Sequence, residues 1–275
     1  MTRAVIITSY LEYPVDIPAL LAPDDYIVCL DGGYDIARAQ GIQPHLWLGD
    51  FDSLQTSLPD DDEPGPSGSS MEIRRYPPEK DYTDLELAFR VLDPEKTPDL
   101  LIIGGLGGRL DQTLINVQML SRYTAAPGKN ANTLAAPGKG ANTPAAPESA
   151  ADDVPPSGSA SDTADPDPLY RSIELFDGHN RCFAVHGDED APQPDGPVVY
   201  TIPPEPGAFL SLLPVTEDCS GVTLRNSRYP LENAVLHKGA SLSVSNEFTD
   251  APAELRVRRG SLLVIIARGN SADRL

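Results

Sequence analysis

Two aspartates, Asp50 and Asp52, follow directly after the apolar run Leu46–Leu48 and a glycine. A short apolar run that ends in glycine predicts a buried strand followed by a tight turn. Two carboxylates held together there repel each other unless a cation lies between them. Mg²⁺ favours carboxylate oxygens combined with substrate phosphates and water, so the spacing predicts a magnesium site. The alternative is a pair of solvated loop acids, or a helix cap at Asp52.

Three further polar clusters follow predicted strands: Asp31–Gly33, Lys80–Asp84 and Gly104–Asp111. In a parallel sheet the carboxyl ends of the strands share one edge, so we expect these clusters to converge with Asp50. Each cluster also has a purely structural interpretation, such as a turn at Asp31 or a capping box that starts at Thr83.

A glycine-rich turn that leads into a helix offers backbone N–H groups to phosphate, and the predicted turn Gly104–Gly108 has this form. Arg109 follows it and carries a fork of donors that suits phosphoryl oxygens. Lys80 is a second candidate cation. Together with the aspartates, these residues predict phosphoryl or nucleotidyl transfer.

Alternating strand and helix patterns position these clusters in the first part of the chain. The predicted helices lie near residues 36–40, 83–92 and 110–123, between apolar runs typical of buried strands. This order predicts an N-terminal Rossmann-like, largely parallel α/β domain over residues 1–123. The predicted strands are Ala4–Thr8, Ile27–Leu30, Leu46–Leu48, Ile73–Tyr76 and Leu100–Ile103.

Residues 124–168 are rich in Pro, Ala, Gly, Ser and Asp, and Ala135–Thr143 nearly repeats Ala125–Thr133. Such a composition predicts a disordered insertion without catalytic residues. From residue 169 to 275, short apolar runs separated by turns predict an all-β, jelly-roll-like sandwich without helices. Its predicted strands are Ser172–Phe176, Arg181–Val185, Val198–Ile202, Phe209–Leu213, Gly221–Leu224, Ala240–Ser245, Ala253–Val257 and Ser261–Ile266.

The composition narrows the class of protein. The chain of 275 residues has a formal net charge of −20, which argues against binding to nucleic acids or to anionic membranes. Its three cysteines are widely spaced, and neither a signal peptide nor an apolar run of membrane-spanning length is evident. We therefore expect a cytoplasmic protein.

The motifs together resemble the thiamine pyrophosphokinase (thiamine diphosphokinase) family. The resemblance rests on Asp31–Gly33, Gly49–Ser53, Lys80–Ala88 and Gly107–Asn116, with Ser211–Pro214, Gly221-Val222, Tyr229–Leu231 and Ser245–Glu247 following in the family's order. It implies transfer of the β,γ-pyrophosphoryl group of ATP to thiamine by a Mg²⁺-dependent homodimer, whose site lies between subunits.

The resemblance also implies roles for individual residues, as follows. The magnesium ligands are Asp50, Asp52 and Asp84. The catalytic residues are Lys80, Asp81, Asp84 and Arg109. The nucleotide is bound by Asp31, Gly32, Gly33, Thr83, Gly107, Gly108, Arg109, Asp111 and Asn116, and thiamine is bound by Tyr229, Ser245 and Asn246.

The chain departs from the family pattern at Gln112, where His is common, at His45, where Asp is usual, and across Leu224–Arg228. Two other functions stay open at this point. One is a pyrophosphokinase for another alcohol, such as a hydroxymethylpterin, and the other is a non-catalytic homologue that binds thiamine or a nucleotide.

Overall fold

The computed structural model describes residues 2–51, 71–77, 79, 81–126, 167–187, 199–215 and 218–269. The described chain divides into two compact units. The first contains the residues up to Asn116 together with 167–170, and the second contains 117–126 and the residues from Arg171 onwards. Asp52, Lys80 and almost all of the predicted insertion lie outside the described residues.

The first unit is built on a parallel sheet with the strand order β5-β1-β2-β3-β4. Its strands are β1 (Arg3–Ile7), β2 (Tyr26–Leu30), β3 (Leu46–Gly49), β4 (Glu72–Arg75) and β5 (Asp99–Ile103). Its helices are α1 (Gly33–Ala39), α2 (Asp84–Val91) and α3 (Leu110–Tyr123), and the last residues of α3 belong to the second unit. The apolar run in β1 is buried, as expected of a strand that has a parallel neighbour on each side, and the apolar run in β5 is buried as well.

Helix α1 begins at Gly33, three residues before the position that the sequence pattern predicts. A Cβ atom at Gly33 would collide with the backbone oxygen of Ile7. Because glycine has no Cβ atom, the first residue of α1 can pack against the end of β1. The helix therefore begins before the segment that the sequence pattern predicts.

The second unit consists of antiparallel strands in two sets, with the orders β12-β9-β14-β7-β6 and β11-β10-β13-β8. Side chains from both sets share one hydrophobic core, in which Leu212 and Val264 meet Val222 and Leu255. The strands are β6 (Ser172–Phe176), β7 (Asn180–His186), β8 (Val199–Ile202), β9 (Ala208–Pro214), β10 (Cys219–Arg225), β11 (Leu231–Leu236), β12 (Asn246–Glu247), β13 (Ala253–Arg256) and β14 (Ser261–Arg268).

The predicted strand Ala240–Ser245 is wrong, because this segment forms turns. Its alternating apolar residues Leu242 and Val244 are exposed, while the hydroxyl of the buried Ser243 donates to the Leu212 carbonyl. The sequence pattern also misses β11, in which half of the residues are exposed, Glu232 and Asn233 among them. Within the described part of the chain, no helix has both the length and the apolar composition needed to cross a bilayer.

Candidate active site

The first unit places its polar clusters around a reversal of strand order beside β1. Strand β1 pairs with β2 on one side and with β5 on the other, so the strand order reverses at β1. Open α/β sheets bind ligands at such a switch point, beyond the carboxyl ends of the strands. Gly104–Gly108 follows β5, Asp31 follows β2 and Asp50 follows β3, all at this edge.

The structure brings Asp31, Asp50 and Asp84 into one electrostatic cluster. The Asp31 carboxylate accepts a hydrogen bond from the backbone N–H of Phe51 at 3.2 Å and is also hydrogen bonded to the side chain of Asp84. Burial and the neighbouring Asp84, with a smaller contribution from Asp50, raise the pKa of Asp31 to about 7. Near neutral pH, Asp31 and Asp84 therefore share a proton for part of the time, and this proton reduces the repulsion between the neighbouring carboxylates.

This cluster fits a divalent cation, because a metal ion can replace the proton that reduces the repulsion between neighbouring carboxylates. Hard oxygen donors of this kind suit Mg²⁺. Among the described residues, no three His, Cys, Asp or Glu side chains are already arranged to hold an ion, and Asp52 is not among those residues.

The first turn of α2 positions Asp84. Thr83 caps the helix by accepting the backbone N–H of Glu86 at 3.2 Å, and Asp84 is the first helical residue. The partial positive charge at a helix N-terminus stabilises a carboxylate there. Asp81, which precedes the cap, is exposed.

The glycine-rich loop after β5 has a backbone that glycine alone adopts easily. Gly104, Gly105, Gly107 and Gly108 all have positive φ angles, between 61° and 92°. A Cβ atom at Gly104 would collide with the backbone oxygen of Tyr10, in the loop that follows β1. Two loops therefore pack closely at the switch point, which requires glycine.

Helix α3 contacts this loop through side-chain hydrogen bonds. The buried Asn116 donates from Nδ2 to the Gly105 carbonyl at 2.8 Å, and the Thr113 hydroxyl lies 3.1 Å from the Gly107 carbonyl. Asn116 thus contacts the loop itself and orients its backbone.

Replacing Asn116 with Ala is expected to weaken the binding of a phosphate-bearing ligand at this loop about tenfold, because a buried hydrogen bond worth ~1.4 kcal/mol would be lost. Titration with a nucleoside triphosphate tests this, with Gln118→Ala, an exposed change on the same helix, as the control. Equal effects of the two variants on the dissociation constant would contradict the role of Asn116.

Arg109 and Asp111 are paired with each other. The Arg109 guanidinium donates to both Asp111 oxygens, at 3.1 and 2.5 Å, and both side chains are exposed. The hydrogen bond from Arg109 lowers the pKa of Asp111. To bind a phosphate, Arg109 must exchange this partner, and an exposed ion pair of this kind costs little to break.

In the second unit, Asn246 fixes the position of Tyr229. The buried Asn246 side chain accepts from the Tyr229 backbone N–H at 3.0 Å and donates to the Tyr229 carbonyl at 2.7 Å. The Tyr229 ring is 57% exposed, and the Arg228 guanidinium lies 5.6 Å from its centroid. The ring therefore presents a face on which a cation can be stabilised.

Ser245 lies beside Asn246, in a left-handed conformation with φ of 59°. Its backbone N–H donates to the Ser211 hydroxyl at 3.0 Å, which connects this turn to β9. The Ser245 side chain is exposed.

Comparison with known proteins identifies the family. Residues 17–131 match the family described as thiamin pyrophosphokinase, catalytic domain, and residues 199–262 match thiamin pyrophosphokinase, vitamin B1 binding domain. The two matches together span well over half of the chain. The chain belongs to the thiamin pyrophosphokinase family. The catalytic-domain match includes Asp31, Asp50 and Asp84, and the vitamin B1 binding match includes Tyr229 and Asn246.

Individual relatives agree with this family. The thiamine pyrophosphokinase of Bacillus subtilis (strain 168) is 27% identical over 228 residues, which cover 82% of this chain and 79% of the relative. The crystal structure of thiamine pyrophosphokinase from B. subtilis has a TM-score of 0.68 at 21% identity and covers 98% of this chain and 100% of that one. The structure from Geobacillus thermodenitrificans has a TM-score of 0.66 at 23% identity, with 98% and 99% covered. These two structures establish the shared fold.

Proposed function

We propose that this protein transfers the β,γ-pyrophosphoryl group of ATP to the hydroxyl group of thiamine and releases thiamine diphosphate and AMP. The observation that carries the proposal is the presence of a catalytic domain and a vitamin B1 binding domain of one family in a single chain. The carboxylate cluster and the glycine-rich loop within the catalytic domain supply the parts that this chemistry needs.

In this reaction the thiamine oxygen attacks the β-phosphorus of ATP, and the bond from that phosphorus to the oxygen shared with the α-phosphate breaks. AMP leaves with the electron pair of that bond. Catalysis of phosphoryl transfer depends mainly on positioning and electrostatic stabilisation, with little covalent work by the protein.

We assign the residues of the first unit to these tasks. Asp50, Asp52 and Asp84 would hold Mg²⁺, with Asp31 beside them, and the bound ion would neutralise charge on the phosphates. The backbone N–H groups of Gly107 and Gly108 would face the phosphates, with Lys80 and Arg109 as cations. Asp81 or Asp84 would accept the proton that the thiamine hydroxyl loses. Asp31–Gly33, Thr83, Asp111 and Asn116 would line or support the nucleotide site.

We assign thiamine to Tyr229, Ser245 and Asn246. The thiazolium ring of thiamine is a cation, and the Tyr229 ring already has the Arg228 guanidinium near its face. Exchange of one cation for another is consistent with the exposure of this ring.

The remaining assignments concern architecture and setting. We interpret residues 1–123 as a Rossmann-like ATP-binding domain and residues 169–275 as a jelly-roll-like thiamine-binding domain.

We propose a homodimer that completes the site between subunits. Leu110 and Leu114, which are exposed one turn apart on α3, offer an apolar contact for it. The cysteines Cys29, Cys182 and Cys219 are free and buried, which is consistent with the reducing cytoplasm.

Other acceptors are disfavoured by the vitamin B1 binding match, and a purely binding role is disfavoured by the catalytic-domain match. AMP release from ATP and Mg²⁺ should be measured with thiamine and with 6-hydroxymethylpterin as competing acceptors. We expect AMP to form with thiamine as the acceptor and not with the pterin. If AMP formed with the pterin and not with thiamine, the protein would be a different pyrophosphokinase. If thiamine bound without formation of AMP, the protein would be a non-catalytic homologue.

Binding of Mg²⁺ should release a proton near neutral pH, because Asp31 has a pKa of about 7 before the ion binds. Below that pKa the ion must displace the proton, so its apparent affinity should rise about tenfold per pH unit and level off above pH ~8. Mn²⁺ binding measured from pH 5.5 to 8.5 in the wild type and in Asp31→Asn tests this expectation. An affinity that does not change with pH in the wild type would contradict it.

A further inference from the structure

Trp47 is the single tryptophan of the chain and is fully buried in β3. Its indole N–H donates to the backbone carbonyl of Asp31 at 2.9 Å. The strand order places β3 next to β2, so this bond joins the indole to the turn that ends the neighbouring strand.

The turns at Asp31 and Phe51 both adopt left-handed backbone conformations, with φ angles of 41° and 61°. Such angles are unfavourable for non-glycine residues, above all for a bulky one, and persist only where surrounding contacts hold them. Phe51 stands between Asp50 and Asp52, so both strained positions lie in turns that carry carboxylates.

Trp47 contacts both turns. Tyr34, three residues after Asp31, stacks on the indole with ring centroids 4.0 Å apart, and Phe51 meets it edge-on at 4.7 Å. The two turns are also joined directly, through the bond from the Phe51 N–H to the Asp31 carboxylate. The indole is therefore the common support of both carboxylate-bearing turns.

We propose that Trp47 is a positioning residue, which holds the turns at Asp31 and Phe51 in place and so keeps the carboxylates of Asp31 and Asp50 together at the proposed cation site. The inference rests on the proposed function, in that the cation is the one used in pyrophosphoryl transfer. A side chain that only filled the core would stabilise the fold without affecting the affinity for the ion.

The test compares Trp47→Phe with Val5→Ala, using Mn²⁺ alone as the probe. Trp47→Phe keeps an aromatic ring and removes the N–H donor, while Val5→Ala truncates a buried apolar side chain of β1 that has no group able to hydrogen bond to either turn. Free Mn²⁺ is counted by its EPR signal without ATP, and thermal unfolding of each variant is recorded. We expect about tenfold weaker Mn²⁺ binding in Trp47→Phe, as is typical when a group that orients metal ligands is lost. Val5→Ala should bind Mn²⁺ as the wild type does, even where its melting temperature falls further.

The wild type gives a second readout that needs no stable variant, because all tryptophan fluorescence comes from Trp47. We expect Mg²⁺ to change this emission saturably, and Asp84→Asn to abolish the change. Unaltered Mn²⁺ affinity in Trp47→Phe, or emission that does not respond to Mg²⁺ in a wild type that binds it, would overturn the inference while leaving the proposed function intact. A wild type that neither binds Mn²⁺ nor forms AMP would overturn both.

Discussion

Asp50→Asn is expected to lower kcat about a thousandfold, the upper range for removal of one electrostatic contact with the reacting groups. The change removes a negative charge from the cluster with Asp31 and Asp84 and hardly alters the size of the side chain. One like charge fewer should leave the fold at least as stable as before. Steady-state kinetics over a range of Mg²⁺ concentrations, together with thermal unfolding, provide the measurement.

The matched control for this prediction is Asp250→Asn, which makes the same chemical change at an exposed position of the second unit. Its activity should stay within about twofold of the wild type, since isolated surface charges contribute little. Near-normal turnover of Asp50→Asn at limiting Mg²⁺ would show that Asp50 is not a ligand of the ion.

Tyr229→Ala is expected to raise the KM for thiamine about 30-fold, which corresponds to the ~2 kcal/mol of a desolvated cation–π contact. The KM for ATP should not change. The melting temperature should also be nearly unaffected, because the ring is 57% exposed and its backbone remains held by Asn246. Kinetics with thiamine varied at saturating ATP measure the effect.

Tyr229→Phe is the companion variant, because it keeps the aromatic face and removes only the hydroxyl. We expect its KM for thiamine to remain within about threefold of the wild type, since the π-system carries the interaction. If the Phe variant lost as much affinity as the Ala variant, the hydroxyl and not the ring face would be the contact.

Much of the first unit can be predicted because its signals are local. The apolar run Leu100–Ile103 and the glycines after it predict a strand and a loop without any knowledge of the neighbours. Helix α3 spans Leu110–Tyr123, which confirms the range predicted from the sequence. Segments at the edge of a sheet are harder to predict. Leu242 is exposed and Ser243 is buried, which is the reverse of the usual relation between polarity and burial.

The assembly of the site depends on distant pairs that a linear pattern does not contain. The sequence marks Asp31 as a residue of a glycine turn, but its contact with Asp84 arises from the strand order and from the start of α2. For Trp47 the sequence pattern favours core packing, and only the structure shows its bond to the Asp31 carbonyl. The sequence does contain one signal for it, an aromatic residue close before Asp50 and Asp52.

Formation of AMP from ATP and Mg²⁺, measured with and without thiamine, tests the central claim most directly. We predict AMP and thiamine diphosphate in equal amounts when thiamine is present and neither product in its absence, and we expect Asp50→Asn to form both about a thousandfold more slowly. Release of ADP or inorganic phosphate in place of AMP, or no thiamine-dependent product from folded wild-type protein, would contradict the account.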